Sequence, residues 1–129
     1  MTPTPTLPGL FLGANALAIG LIGLGYLWSP NRLLARYALE TGTPAMDSML
    51  RSAYGGVFLG MAAIFALGAL VPSRTGDGLL FTLLFMGGFA LGRIVSLVRV
   101  GSPGRAVNAL LGYEVVASAV AAGLYLQLG

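Results

Sequence analysis

The sequence predicts an all-α fold: a four-helix transmembrane bundle with a short interfacial helix between helices one and two. Three observations predict it. The 129 residues are 57% hydrophobic and 9% charged, against roughly 25% charged in a soluble domain, too few to cover the surface of a soluble globule. The mean hydropathy is +0.88. The charges fall at intervals, and between them lie four apolar runs, each long enough to cross a ~30 Å hydrocarbon core as a helix. The length suits a single integral membrane domain over 1–129.

The head "MTPTPTLPG" has prolines at 3, 5 and 8. Their fixed φ and missing N–H predict an extended piece up to Pro8, which suits the first turn of a helix with Thr6 or Leu7 before it. No positive side chain precedes the long apolar run, so a retained span is expected rather than a cleaved signal. From Pro8 to Trp28 no side chain is charged. That is about 21 residues, or roughly 31 Å at 1.5 Å per residue. Tyr26 and Trp28 end it, where an aromatic belt belongs.

In "SPNRLLARYALETGTPAMDS" (29–48), Leu33, Leu34, Tyr37 and Leu39 are interleaved with Arg32, Arg36 and Glu40. This pattern predicts an amphipathic helix in the interface, capped at Ser29-Pro30 and ended by Gly42 and Pro44. The second span is expected at about 49–71, followed by a polar turn at 72–78. The third is expected at about 79–98, followed by a turn at 99–104, and the fourth at about 105–126. Short turns make neighbouring helices antiparallel. Asp47 and Asp77 fall near helix starts, where capping is the expected role.

The seven positive side chains are all arginine, and the net charge is +3. They are dispersed, so topology rather than nucleic-acid binding is their expected use. Arg32, Arg36, Arg51, Arg99 and Arg105 belong to one side and Arg74 to the other. The positive-inside rule then places both termini outside the cytoplasm of a bacterial inner membrane. The absence of cysteine and histidine excludes disulfides, thiol catalysis, iron–sulfur ligation, histidine-ligated haem and the usual zinc sites. It also removes the commonest general base. No catalytic residue, cofactor or metal ligand is assigned, and a non-enzymatic protein is expected.

Gly-x-x-x-Gly spacings occur at Gly9/Gly13, Gly56/Gly60 and Gly88/Gly92, with Ala117/Ala121 at the same interval. Such pairs let helix backbones approach in lipid. Gly56, Gly60, Gly88 and Gly92 are therefore expected helix-packing residues, either inside the bundle or against another chain.

Two charges fall inside spans. Arg93 lies about six residues, roughly 9 Å, above Arg99, and Glu114 about nine residues, roughly 14 Å, above Arg105. Antiparallel helices joined by a tight turn place the two at similar depth, so an ion pair is expected. It would offset an insertion cost of about 2.5–3.5 kcal/mol per mid-helix charge. Arg51 enters from the same side and can share the carboxylate. Tyr54, Ser96 and Tyr113 can take remaining hydrogen bonds. The expected intramembrane polar cluster is thus Arg51, Tyr54, Arg93, Ser96 and Glu114. Three roles remain open for it: a fixed packing network, a binding or proton-linked site, or arginines that snorkel to the surface. Asn15 is expected near the opposite membrane face, making an interhelical hydrogen bond.

"RSAYGGVFLG" (51–60), "GRIVS" (92–96) and the glutamate after "LLGY" at 114 resemble the bacterial integral-membrane family named domain of unknown function 4345. It is similar in size and plan to the DoxX-like four-helix proteins. The resemblance covers about residues 10 to 127. Its Arg-x-x-Tyr-Gly-Gly block falls on Arg51, Tyr54, Gly55 and Gly56, and its Gly-Arg-x-x-Ser block on Gly92, Arg93 and Ser96. The following turn, often Asp-Gly in such proteins, is Val100-Gly101 here, which removes any role for an acid there. The resemblance implies four helices and a polar cluster, and it carries no assigned activity.

Two functions compete. One is a non-enzymatic accessory or structural subunit that packs against other transmembrane helices. The other is an oligomeric transporter or binder of a small solute, proton, lipid or quinone-like ligand at the Arg/Glu cluster. The expected partners are the bilayer and either a homo-oligomer or a larger membrane complex, with no nucleic acid.

Overall fold

The computed structural model describes residues 6–128. The expected extended head, residues 1–5, lies outside them. Helix α1 spans Leu7–Trp28. The Thr6 side chain accepts a hydrogen bond from the Gly9 backbone N–H at 3.1 Å, and Pro8 sits in the first turn. There its missing N–H costs nothing.

A short helix α2, Pro30–Leu34, and a 3-10 turn, Ala35–Tyr37, form the connection after α1. Here the structure corrects the sequence-based boundaries. The interfacial helix ends at Ala38, which takes the left-handed conformation at φ 57°, and not at Gly42 and Pro44. Pro44 instead starts the next helix, because Thr43 is extended and its side chain accepts from the Met46 N–H at 3.1 Å. A proline at the first helical position initiates as readily as it terminates elsewhere.

The second crossing is one rod, Pro44–Leu70, in three parts: α3 (Pro44–Leu50), a π-helical turn (Arg51–Gly56) and α4 (Val57–Leu70). A 3-10 turn, Pro72–Arg74, leads into α5, Thr75–Val100. The polar turn is therefore shorter than expected, and Asp77 lies in the first turn of α5, where a carboxylate favours the helix dipole. Gly101 and Gly104, both at φ 107°, bracket the turn into α6, Arg105–Leu128. All four long helices are apolar and long enough to cross a membrane. The chain is an all-α bundle of four spans.

Helix α1 lies along α4, α5 lies along α6, and α4 joins the two pairs through α5. The core runs through Leu12, Ile19, Met61, Phe65, Leu79, Met86, Ala117 and Leu124. Leu17, Leu21, Leu70, Leu91, Val116 and Leu126 are exposed, as side chains facing lipid tails are. Lipid is as apolar as leucine, so close van der Waals packing rather than water exclusion holds such helices together.

The closest approaches are made at glycines, though not the expected ones. A Cβ on Gly23 would stand 3.1 Å from the Gly55 carbonyl oxygen, and one on Gly68 3.2 Å from the Gly78 Cα. These two sites are where α1 meets the π-turn and where α4 meets α5. By contrast, a Cβ on Gly60, Gly88 or Gly92 would meet nothing within 4 Å, and one on Gly56 only the Arg51 carbonyl at 4.0 Å. The Gly56/Gly60 and Gly88/Gly92 pairs therefore do not pack helices within the chain. Their faces are turned away from the neighbouring helices, a rotation that spacing alone does not encode. The Gly9/Gly13 pair does face α4, at Ala69, and Ala117 and Ala121 are buried.

Candidate functional site

The π-turn coincides with the segment Arg-Ser-Ala-Tyr-Gly-Gly, residues 51–56. A π-turn widens the helix by one residue and changes the direction of the side chains around it. Here it sends three residues of the turn different ways. Gly55 is buried against Leu27 of α1. Tyr54 sits between Tyr26 and Phe58, tilted against the first ring and edge-to-face with the second, with ring centroids 5.2 and 5.3 Å away. Phe58 then meets Phe89 of α5 at 5.8 Å, so aromatic rings link α1, the π-turn and α5.

Arg51, the third, leaves the expected cluster. Its Nε donates to Asp47 Oδ2 at 2.7 Å, and its Nη1 donates to the backbone carbonyls of Leu27 and Trp28. It closes the end of α1, whose last carbonyls have no helical partner. Asp47, expected as a cap, is its counter-ion. An acid four residues away on the same helix face outcompetes a glutamate on another helix.

Arg93 and Glu114 do meet. The Arg93 Nε donates to both carboxylate oxygens, at 2.7 and 2.9 Å. The Glu114 side chain is 6% exposed and that of Arg93 27%. Both bonds leave from Nε, and the terminal amino groups of Arg93 donate to none of the described residues. A guanidinium's fork carries most of its donors on those groups, and here they are spare.

Arg93 lines a cavity of about 330 Å³ together with Tyr54, Gly88, Gly92, Ser96 and Pro103. Tyr54, Arg93 and Ser96 thus line one space, while Glu114 stands behind Arg93. Gly88 and Gly92 leave room for the cavity by having no side chains. A second, apolar hollow of about 510 Å³ adjoins it and shares Tyr54, Gly88 and Phe89; Val57, Leu84 and Phe85 also line it. Ligand pockets commonly enclose ~300–1,000 Å³.

Two polar residues fall elsewhere. Asn15 is buried, donates from Nδ2 to the Phe11 carbonyl at 2.8 Å, and accepts at Oδ1 from the Tyr113 hydroxyl. It therefore bridges α1 to α6 beside Glu114, at a depth nearer the polar cluster than expected. Tyr113 serves Asn15 and not the ion pair. The π-turn and the Arg51–carbonyl contacts were not foreseen. The latter had a signal, the unpartnered carbonyls at the end of α1.

The profile of the domain of unknown function DUF4345 matches residues 9–125. The chain belongs to this family. The match takes in the π-turn block, Arg93 and Glu114. No curated protein matches the chain, and no solved structure does.

Proposed function

We propose that this member of the DUF4345 family is a non-enzymatic, multi-pass protein of the bacterial inner membrane that receives a ligand in the cavity lined by Tyr54, Arg93 and Ser96. One observation carries this reading: Glu114 neutralises Arg93 through Nε alone, and the remaining N–H donors are left beside an open space. A pair that served packing alone gains most from two parallel bonds, fork to carboxylate. Here the carboxylate fixes the guanidinium from behind and leaves its front for an acceptor.

A non-enzymatic role is supported by how the acids are used. Glu114 is held by Arg93, Asp47 by Arg51 and Asp77 by Arg74, the fourth acid, Glu40, lies in the exposed connection before α3, and no carboxylate lines the cavity. An orientation with both termini outside the cytoplasm is supported by Arg32, Arg36, Arg99 and Arg105, with Arg51 close by, at one end of the bundle and Arg74 at the other.

The test uses Gly92→Leu, which fills the cavity without meeting any atom of the chain within 4 Å at its Cβ. Wild type and variant are purified in mild detergent from native membranes, and bound small molecules are extracted and compared. The expected result is a molecule carried by wild type and missing from the variant. Identical extracts would overturn the reading.

A second reading, an accessory subunit docking against other transmembrane helices, is favoured by Gly56 and Gly60. Both are exposed and pack against no other helix of the chain. Leucine at both positions should then abolish a homo-oligomer or larger complex seen by crosslinking, with the fold retained.

A further inference from the structure

We infer that the ligand is an anionic phospholipid, its phosphate on Arg93 and Ser96 and one acyl chain in the apolar hollow between α4 and α5. This rests on the proposed reading that the Arg93 cavity receives a ligand, and it names the chemistry of that ligand.

The polarity of the two adjoining spaces runs in one direction. The cavity begins at Pro103 and Val107, beside the α5–α6 turn, and contains Ser96, Arg93 and the Tyr54 ring. The hollow continues it with Val57, Phe58, Leu84 and Phe85, and every added side chain is apolar. From Ser96 to Leu84 is a rise of about 18 Å along α5. Half of a ~30 Å hydrocarbon core is roughly 15 Å. The groove therefore has the length of one leaflet, with its polar end where lipid headgroups lie and its apolar end at the midplane. A small water-soluble solute would leave the hollow unused.

Charge selects the head. The Arg93–Glu114 pair is neutral as a unit, and its spare donors call for an acceptor. Arg99 and Arg105 stand on the two helix ends that flank the turn carrying Pro103, and neither is in an ion pair among the described residues. A phosphodiester that bears a net negative charge satisfies both the donors and this surplus. A quinone offers acceptors and no charge, and a zwitterionic lipid carries its own cation to the same arginines.

The experiment reads lipid binding to the detergent-solubilised full chain by native mass spectrometry. The probes are dioleoyl phosphatidylglycerol, dioleoyl phosphatidylcholine, inorganic phosphate and a decyl-quinone. Wild type is expected to prefer the glycerol lipid over the choline lipid by about fivefold or more, the effect of one arginine near the membrane surface. Arg93→Gln with Glu114→Gln, which deletes a neutral pair, should weaken both lipids by removing the donors to the phosphate, whereas Arg99→Gln with Arg105→Gln should remove most of the preference for the glycerol lipid. Leu84→Trp, at a lipid-exposed position, should weaken both lipids by blocking the tail, and Gly92→Leu should block the head.

Equal binding of the two lipids by wild type overturns the inference, as does a preference that survives Gly92→Leu. If phosphate or the quinone binds in a manner lost in Gly92→Leu and the phospholipid does not, the lipid is wrong and the cavity reading stands. If Gly92→Leu changes the binding of no probe and of no co-purified molecule, both fall.

Discussion

Arg93 grips Glu114 through a single nitrogen: its Nε reaches both carboxylate oxygens, at 2.7 and 2.9 Å, from one helix to the next. The glutamate is almost fully enclosed while the arginine keeps a quarter of its side chain exposed, so losing either partner has unequal consequences. Arg93→Gln strands a buried carboxylate without its counter-charge. Glu114→Gln leaves a guanidinium that still reaches the cavity. Breaking a buried pair costs about 3–5 kcal/mol; the exposed arginine places Glu114→Gln at the lower end. The double change to glutamine should recover part of the loss, since two amides hydrogen-bond. Thermal unfolding in detergent of the three variants and wild type measures the cycle, and simple additivity would mean that the pair contributes nothing as a pair.

The glycines should divide by contact and not by motif. Gly55→Leu and Gly68→Leu drive side chains into Leu27 and into Leu12 with the Gly78 backbone, and overpacking costs about 1–3 kcal/mol or more where backbone must move. Gly56→Leu, Gly88→Leu and Gly92→Leu project into open space and should leave the monomer's melting temperature near wild type. Equal losses at all five positions would contradict the helix rotations described above.

Arg51 ties two helix ends together, so Arg51→Ala should destabilise by about 1.5–3 kcal/mol, the range for hydrogen bonds to a charged group. Asp47→Asn removes only a part-exposed i,i+4 pair and should cost less than about 1 kcal/mol. Hydrogen exchange would find the difference at the amides of residues 27–35, which should open faster in Arg51→Ala. No change there would mean that the carbonyl contacts do not hold the end of α1.

Membrane orientation is checked by reporters. A periplasm-active reporter fused after Gly129 should be active, and one inserted at Thr41, in the connection before α3, should be silent. The opposite pattern would invert the placement of both termini.

Much of the fold was legible because a membrane span is defined by length and composition. Pro8, Trp28, and the polar stretches that hold the turns at 72–74 and 101–104 punctuate the apolar runs, and the 1.5 Å rise per residue converts sequence position into depth. That conversion alone placed Arg93 level with Glu114, since the turn between their helices is short. The family blocks also marked Tyr54, Gly92 and Ser96, which line the cavity with Arg93.

Depth along a helix is thus written in the sequence, but rotation about its axis is not. In a soluble helix the polar face reports that rotation; in these spans every face is apolar, so hydropathy could not say whether Gly56, Gly60, Gly88 and Gly92 look toward a neighbour or away. Only the tertiary structure decided that Gly23, Gly55, Gly68 and Gly78 make the close approaches, because packing of irregular apolar surfaces, and no periodic signal, selects them. It likewise decided the partner of Arg51, since the π-turn inserts one residue and turns the side chain toward the carbonyls of α1 and away from Glu114. And it brought Asn15 to Tyr113, across 98 residues of chain, a pairing that depends on which helices are neighbours and on no local property of either residue.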